Sequence, residues 1–127
     1  MKQEDKDLLL KDLCSRLPYG VKIYLEDFPN ATLVGVVNEG IILHCDKYDY
    51  MYDTPWNIEY VKPYLFPLSS MTDKQVDEYA NLRQDIWDKL KDWKCAKLID
   101  WFNKNHFDYH DLINKNMAID CTNLNIY

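Results

Sequence analysis

All three glycines (Gly20, Gly35, Gly40) and all five prolines lie at or before Pro67, and the 60 residues that follow contain neither. Glycine supplies the backbone conformations that tight turns need, and proline stops helices and cannot donate to a strand ladder. Such a chain should build its first half from short strands and tight connections and its second half mainly from helix. The expected class is therefore α+β. A single domain over 1–127 is expected at this length, since domains most often run about 100–150 residues. It would divide into a helix-plus-sheet part, 1–71, and a mostly helical part, 72–127.

Within the first part, Leu9, Leu10, Leu13 and Leu17 recur at helical spacing behind an acidic first turn, and Pro18 stops the pattern. Val21, Ile23 and Leu25 then alternate with Lys22, Tyr24 and Glu26, as a half-buried strand requires. Asp27–Asn30 reads as a turn into a strand over Ala31–Val37. Asn38-Glu39-Gly40 is a hairpin signal leading into Ile41–Cys45, and Ile58–Val61 suggests a fourth short strand. Short antiparallel strands joined by tight turns imply a small, strongly bent sheet of the SH3-like partial-barrel kind. Pro63 to Thr72 reads as an extended strap from the sheet to the helices, anchored by Tyr64, Leu65, Phe66 and Leu68.

The period changes at Thr72. Thr72-Asp73-Lys74-Gln75 fits a capping box, in which the Thr hydroxyl and the Gln amide each satisfy an orphan backbone N–H. Val76, Tyr79, Ile86, Leu90 and Trp93 keep helical spacing beyond it. An unbroken helix from Asp73 to Asn103 would span about 46 Å, wider than a small domain, so a break near Lys91–Lys94 is expected. A short third helix over His110–Lys115 and an extended tail over Met117–Cys121 would complete a helical layer packed on the sheet. Trp101, Phe102, Phe107, Leu112 and Ile113 should be its buried anchors.

Charge bounds the function classes. The net charge is −6, and neither half is basic, at −4 for residues 1–71 and −2 for 72–127. Nucleic-acid binding draws on clustered Lys and Arg that displace counterions from phosphates, so direct nucleic-acid contact is not expected. Met1–Asp7 is charged and lacks the apolar stretch of a signal peptide, and no run approaches the ~18 apolar residues of a membrane span. A cytoplasmic protein without a membrane partner is the expectation. Cys14, Cys45, Cys95 and Cys121 form no Cys-x-x-Cys pair and read as free thiols in a reducing compartment.

Two constellations could carry a site. Tyr48, Tyr50 and Tyr52 alternate with Asp49, Met51 and Asp53 and run on to Trp56. An extended chain would line the tyrosines along one face, a platform for a partner, or cover the core with them along an edge strand. These four aromatics are the candidate partner-binding residues. His106 and His110 are four apart, which on a helix gives zinc-ligand spacing, but the pair falls where a helix-to-helix turn is expected and no Cys-x-x-Cys half-site completes it. Metal ligation is a weak reading there and no cofactor is implied. His106 is otherwise expected to cap a helix C-terminus. No phosphate loop, Gly-x-Ser-x-Gly elbow or His-Glu-x-x-His occurs. His44 and Cys45, adjacent in a strand, point to opposite faces, and Cys45 or Cys121 with a tail histidine is the remaining nucleophile combination. No catalytic residue is assigned.

Two segments resemble a known group. The tail from Asp100 to Asp120, with Trp101-Phe102-Asn103, His106-Phe107-Asp108-Tyr109 and Leu112-Ile113, is similar to small uncharacterised proteins encoded by gut anaerobic bacteria and by their phages and mobile elements. Lys62-Pro-Tyr-Leu-Phe-Pro-Leu-Ser-Ser-Met-Thr72 resembles a mid-chain segment of the same proteins. Position 110 is commonly a basic residue other than His in that pattern. The resemblance brings no activity with it. Together with the tyrosine-rich stripe and the missing catalytic motifs, that context leads to the expectation of a non-enzymatic accessory protein of a phage or mobile element that acts by protein–protein contact. The alternatives are a small metal-dependent or thiol enzyme using the His106/His110 region, and an acidic decoy for a host nucleic-acid-binding protein.

Overall fold

A computed structural model describes residues 1–26, 28, 30–38, 40–46, 55–89 and 92–127, and the side chains of these outside 85–95. The first helix, α1, runs Gln3–Arg16, with Glu4 and Asp5 in its first turn and Arg16 in its last, the polarity that complements the helix dipole. Leu9 and Leu13 are fully buried, but Leu10 is 38% exposed and Leu17 only half-buried. The inward stripe is instead Leu9, Asp12, Leu13 and Arg16, four positions that share one helical face. Pro18 enters a 3₁₀ turn over Leu17–Tyr19, which Gly20 ends at φ 65°, a left-handed conformation glycine adopts without steric cost.

A five-stranded sheet follows, in the order β3-β2-β1-β4-β5, built from β1 (Lys22–Tyr24), β2 (Ala31–Val37), β3 (Gly40–His44), β4 (Lys62–Leu65) and β5 (Ile119–Asp120). All neighbours are antiparallel except β4 and β5, which run parallel. This establishes the α+β class, with helices beside a mostly antiparallel sheet. The strand order does not confirm an SH3-like partial barrel. Alternation holds in β1, where Val21, Ile23 and Leu25 are buried beside Ala31, Leu33, Ile41 and Leu43 of the hairpin and Leu9 and Leu13 of α1. The β2–β3 register shifts between Leu33 and Gly35. Gly40 is required for a different reason: a Cβ there would meet the Trp56 carbonyl oxygen at 2.2 Å. Its absence lets the backbone of Trp56 cross and exchange hydrogen bonds with Ile41 at 2.9 and 2.8 Å.

The fourth strand lies later than expected. Ile58–Tyr60 is a 3₁₀ turn, because the Asn57 carboxamide oxygen accepts from the Glu59 N–H at 2.9 Å and offers the backbone a local alternative to a ladder. The strand forms instead within the supposed strap, as β4. Pro63 is the last residue of β4 paired with β1, and the ladder to β5 begins beyond it, at Tyr64 and Leu65. The strap then continues through a bridge at Phe66 and a 3₁₀ turn over Leu68–Ser70.

Past it, the capping box forms as read: Thr72 N–H donates to Gln75 Oε1 at 2.9 Å and Gln75 N–H to Thr72 Oγ1 at 3.2 Å. Two helices follow, α2 (Asp73–Lys89) and α3 (Asp92–Lys104); residues 90–91 between them, where the expected break near Lys91–Lys94 begins, lie outside the described residues. None of the α2 side chains described, 73–84, is buried. That helix leans on α3 through Tyr79, which packs against Trp101 and Phe102, and through Glu78, which accepts from Trp101 Nε1 at 2.9 Å. Of the expected anchors, Phe102, Phe107 and Leu112 are buried, whereas Trp101 and Ile113 are half-buried. Among the described residues no helix is long and apolar enough to cross a membrane.

The short third helix is absent. His106, Asp111 and Asn116 all have left-handed backbones, at φ 61°, 59° and 59°, and the Asp108 carboxylate captures the N–H groups of Leu112 and Ile113 at 2.8 and 2.9 Å. Residues 109–116 therefore form consecutive turns. They deliver Met117–Cys121 as an extended segment whose β5 joins the sheet made by the first half of the chain.

Candidate functional site

The tail histidines do not share a helical face, because α3 ends before them. His106 N–H bonds to Asn103 C=O at 3.2 Å and Phe107 N–H to Phe102 C=O at 2.9 Å, the paired bonds of a Schellman stop with His106 at the left-handed position. His106 thus caps α3 through its backbone rather than its imidazole. That turn is pinned to the sheet by Phe66 N–H to His106 C=O (2.8 Å) and Asp108 N–H to Phe66 C=O (2.9 Å).

Each imidazole then meets a different partner. His110 Nδ1 lies 2.8 Å from Asp12 Oδ1. The same carboxylate receives Arg16 Nε at 2.6 Å and Nη2 at 3.1 Å, and Nη2 also donates to Phe107 C=O at 2.7 Å. Asp12 and Arg16 are both 0% exposed. Burial pushes the Asp12 carboxyl up, but the hydrogen bonds from His110 and Arg16, with their charges, outweigh it and hold the group below its ordinary range. An ionised carboxylate only accepts, so His110 Nδ1 is the donor. Tyr109 lies under the guanidinium, 5.0 Å from its centroid, and donates to Asn103 Oδ1 at 2.8 Å. This cluster locks α1 to the tail.

His106 faces the other way and stacks on Tyr127, with centroids 3.6 Å apart and planes 10° from parallel. Burial, and secondarily the Arg16 charge, push its imidazole down to about 4, so it is neutral in the fold. Tyr127 as a residue is 43% exposed, yet its hydroxyl is inside the sheet. It accepts from Lys22 N–H and donates to Tyr64 C=O, both at 2.8 Å. Continuing the β1–β4 register past Ile23 and Pro63 would set Lys22 opposite Tyr64. The phenol therefore replaces one rung of the ladder just beyond the proline. Desolvation pushes the pKa of this phenol well above its ordinary value.

The two imidazoles do not converge: His110 Nδ1 meets Asp12, while the His106 ring stacks on Tyr127 with its Nδ1 buried and unpaired among the described residues, where no three His, Cys, Asp or Glu side chains group as metal ligands. Cys121 is buried, and desolvation pushes its thiol up to about 11, the opposite of thiolate activation. Cys45 is half-buried beside the core cluster.

Tyr48, Tyr50 and Tyr52 lie outside the described residues. Trp56, the fourth candidate, borders an open groove of about 210 Å³ whose lining includes Leu25, Glu26, Phe28 and Tyr60. Phe28 and Trp56 each rest partly on the core, with ring centroids 5.6 Å apart and planes at 59°, so they form two walls at an open angle. Tyr60, 69% exposed, stands as a third wall. The 3₁₀ turn that displaced the fourth strand is what presents it. Trp56 Nε1 is buried without a hydrogen-bond partner among the described residues. Phe28 and Tyr60 carry no spacing signal in the sequence, since they lie 32 positions apart in a turn and a supposed strand; their shared aromaticity near Trp56 is the available signal.

Compared with protein-family models, curated proteins and solved structures, the chain matches none at a significant level.

Proposed function

We propose that this chain acts by protein–protein contact, as a non-enzymatic cytoplasmic accessory protein of a phage or mobile element, and that the groove around Trp56 is its contact surface. One observation carries the reading: three aromatic side chains, Phe28, Trp56 and Tyr60, line one open groove. Binding energy concentrates in such aromatic anchors. The tail histidines support it from the other side, because their imidazoles are engaged in holding α1 and Tyr127. The acidic balance agrees with a protein partner rather than nucleic acid.

Affinity capture from host lysate with mass-spectrometric identification, run with the natural chain and with Tyr60→Ser, tests this. Tyr60 is exposed, so the variant should melt with the natural chain while its partner is lost. Equal capture by both chains would move the contact surface elsewhere.

A further inference from the structure

We infer that the Trp56 groove receives an arginine side chain from a basic segment of a partner protein, a specificity that rests on the contact reading above. Three features select that occupant. The first is the aromatic lining, Phe28, Trp56 and Tyr60, of which Tyr60 is 69% exposed and offers a π face to a flat cation. The second is Glu26 on the groove lining, an exposed carboxylate that no described residue pairs with. A purely apolar occupant would leave that charge unanswered at the rim. The third is the openness of the groove on its outer side, which suits a side chain reaching in from a larger molecule. Arginine fits better than lysine, because its planar guanidinium stacks on aromatic faces while its forked N–H groups meet a carboxylate two at a time. The net charge of −6 favours the approach of a basic segment over long range.

Three probe peptides decide it: acetyl-Gly-Arg-Gly-amide, its lysine counterpart and its citrulline counterpart, which keeps the shape of arginine but not its charge. Each is titrated into the ¹⁵N-labelled full chain while the Trp56 indole N–H resonance is followed. The arginine peptide should move that resonance saturably, more tightly than lysine, and the citrulline peptide should not. Glu26→Gln should weaken the arginine peptide by about tenfold, the value of one charge-assisted hydrogen bond, and Tyr60→Ser should weaken it further. Both positions are at the surface, and unchanged spectra elsewhere verify the fold. Citrulline binding as tightly as arginine would overturn the cation assignment while leaving an apolar contact surface. Lysine binding as tightly would overturn the choice of arginine. If no peptide moves the resonance although Tyr60→Ser abolishes lysate capture, the inference fails and the contact reading stands.

Discussion

The contact between α1 and the tail turn and the groove around Trp56 use polar and aromatic groups in opposite ways. In the first, Asp12, Arg16 and Phe107 C=O are sealed from water and tied to one another, with His110 half-buried at the margin. In the second, Glu26 and Tyr60 face solvent, and no described residue pairs with the Glu26 carboxylate. A buried charge is tolerable only when paired, and the Asp12–Arg16 pair meets that need, although Arg16 Nη1 is buried with no hydrogen-bond partner among the described residues. The Glu26 carboxylate is uncommitted among the described residues. The tail histidines hold parts of the fold together, and the less conspicuous aromatics around Trp56 form the site proposed above.

The largest effect should come from breaking the sealed cluster. Asp12→Ala strands the Arg16 guanidinium inside the protein and should cost about 3–5 kcal/mol in denaturant unfolding, as loss of one member of a buried pair does. The double change Asp12→Leu with Arg16→Met removes both charges and should recover much of that loss. A single-variant cost no greater than that of an ordinary surface substitution would mean that the pair is not buried in solution, and the contrast with the groove would collapse.

Acid should attack the same region in two stages. His106 has its folded value lowered from 6.5 to about 4, so the unfolded chain takes up a proton that the native chain refuses. Stability from this group is complete above about pH 6.5 and declines as the pH falls towards 4. Asp12, also lowered, contributes stability that persists above its ordinary 3.8 and is lost as the pH falls through its depressed value. Melting temperature should fall across the first window in the natural chain. The slope should be flatter in His106→Phe, which keeps a ring against Tyr127 but cannot titrate. Parallel slopes would remove His106 from the acid response.

A smaller loss is expected from Tyr127→Phe. The ring stack survives, but Lys22 N–H and Tyr64 C=O lose the hydroxyl that joins them, a penalty of about 1–3 kcal/mol for buried groups left unpaired. Hydrogen exchange at the Lys22 amide reads this directly, and should quicken in the variant. Unchanged exchange would show that β1 and β4 close the gap themselves.

The sequence disclosed features that depend on neighbours in the chain. The division at Pro67, the Thr72–Gln75 box, the alternation in β1 and the Asn38–Gly40 hairpin are all local, and all formed. Where competing local chemistry intervened, the reading slipped. The Asn57 carboxamide turned Ile58–Tyr60 into a 3₁₀ turn, and left-handed Asp111 and Asn116 with the Asp108 cap dissolved the short third helix. What depends on distant partners was not legible. Arg16 reaches Phe107 across 91 positions and Tyr127 reaches Lys22 across 105. A hint of the buried pair did exist, since Asp12 and Arg16 fall on the helical stripe of Leu9 and Leu13, where a surface helix would carry apolar residues. The groove required Phe28 and Tyr60 to meet at Trp56, which no spacing rule encodes.

The smallest stability effect belongs to the groove, and it is the sharpest test of the contrast. Tyr60→Ser and Glu26→Gln remove groups that face water and support no described hydrogen bond, so each should shift unfolding by no more than about 0.5 kcal/mol, as surface substitutions do. Trp56 marks the limit of that freedom. Its ring rests partly on the core and its backbone crosses Gly40, so Trp56→Ala should lose stability as well as contact, whereas Tyr60→Ser should lose contact alone. Urea midpoints of the three variants separate these outcomes. If Tyr60→Ser destabilised the chain as much as Trp56→Ala, Tyr60 would be part of the folded body, and the groove would be another piece of structure rather than a surface held open for a partner.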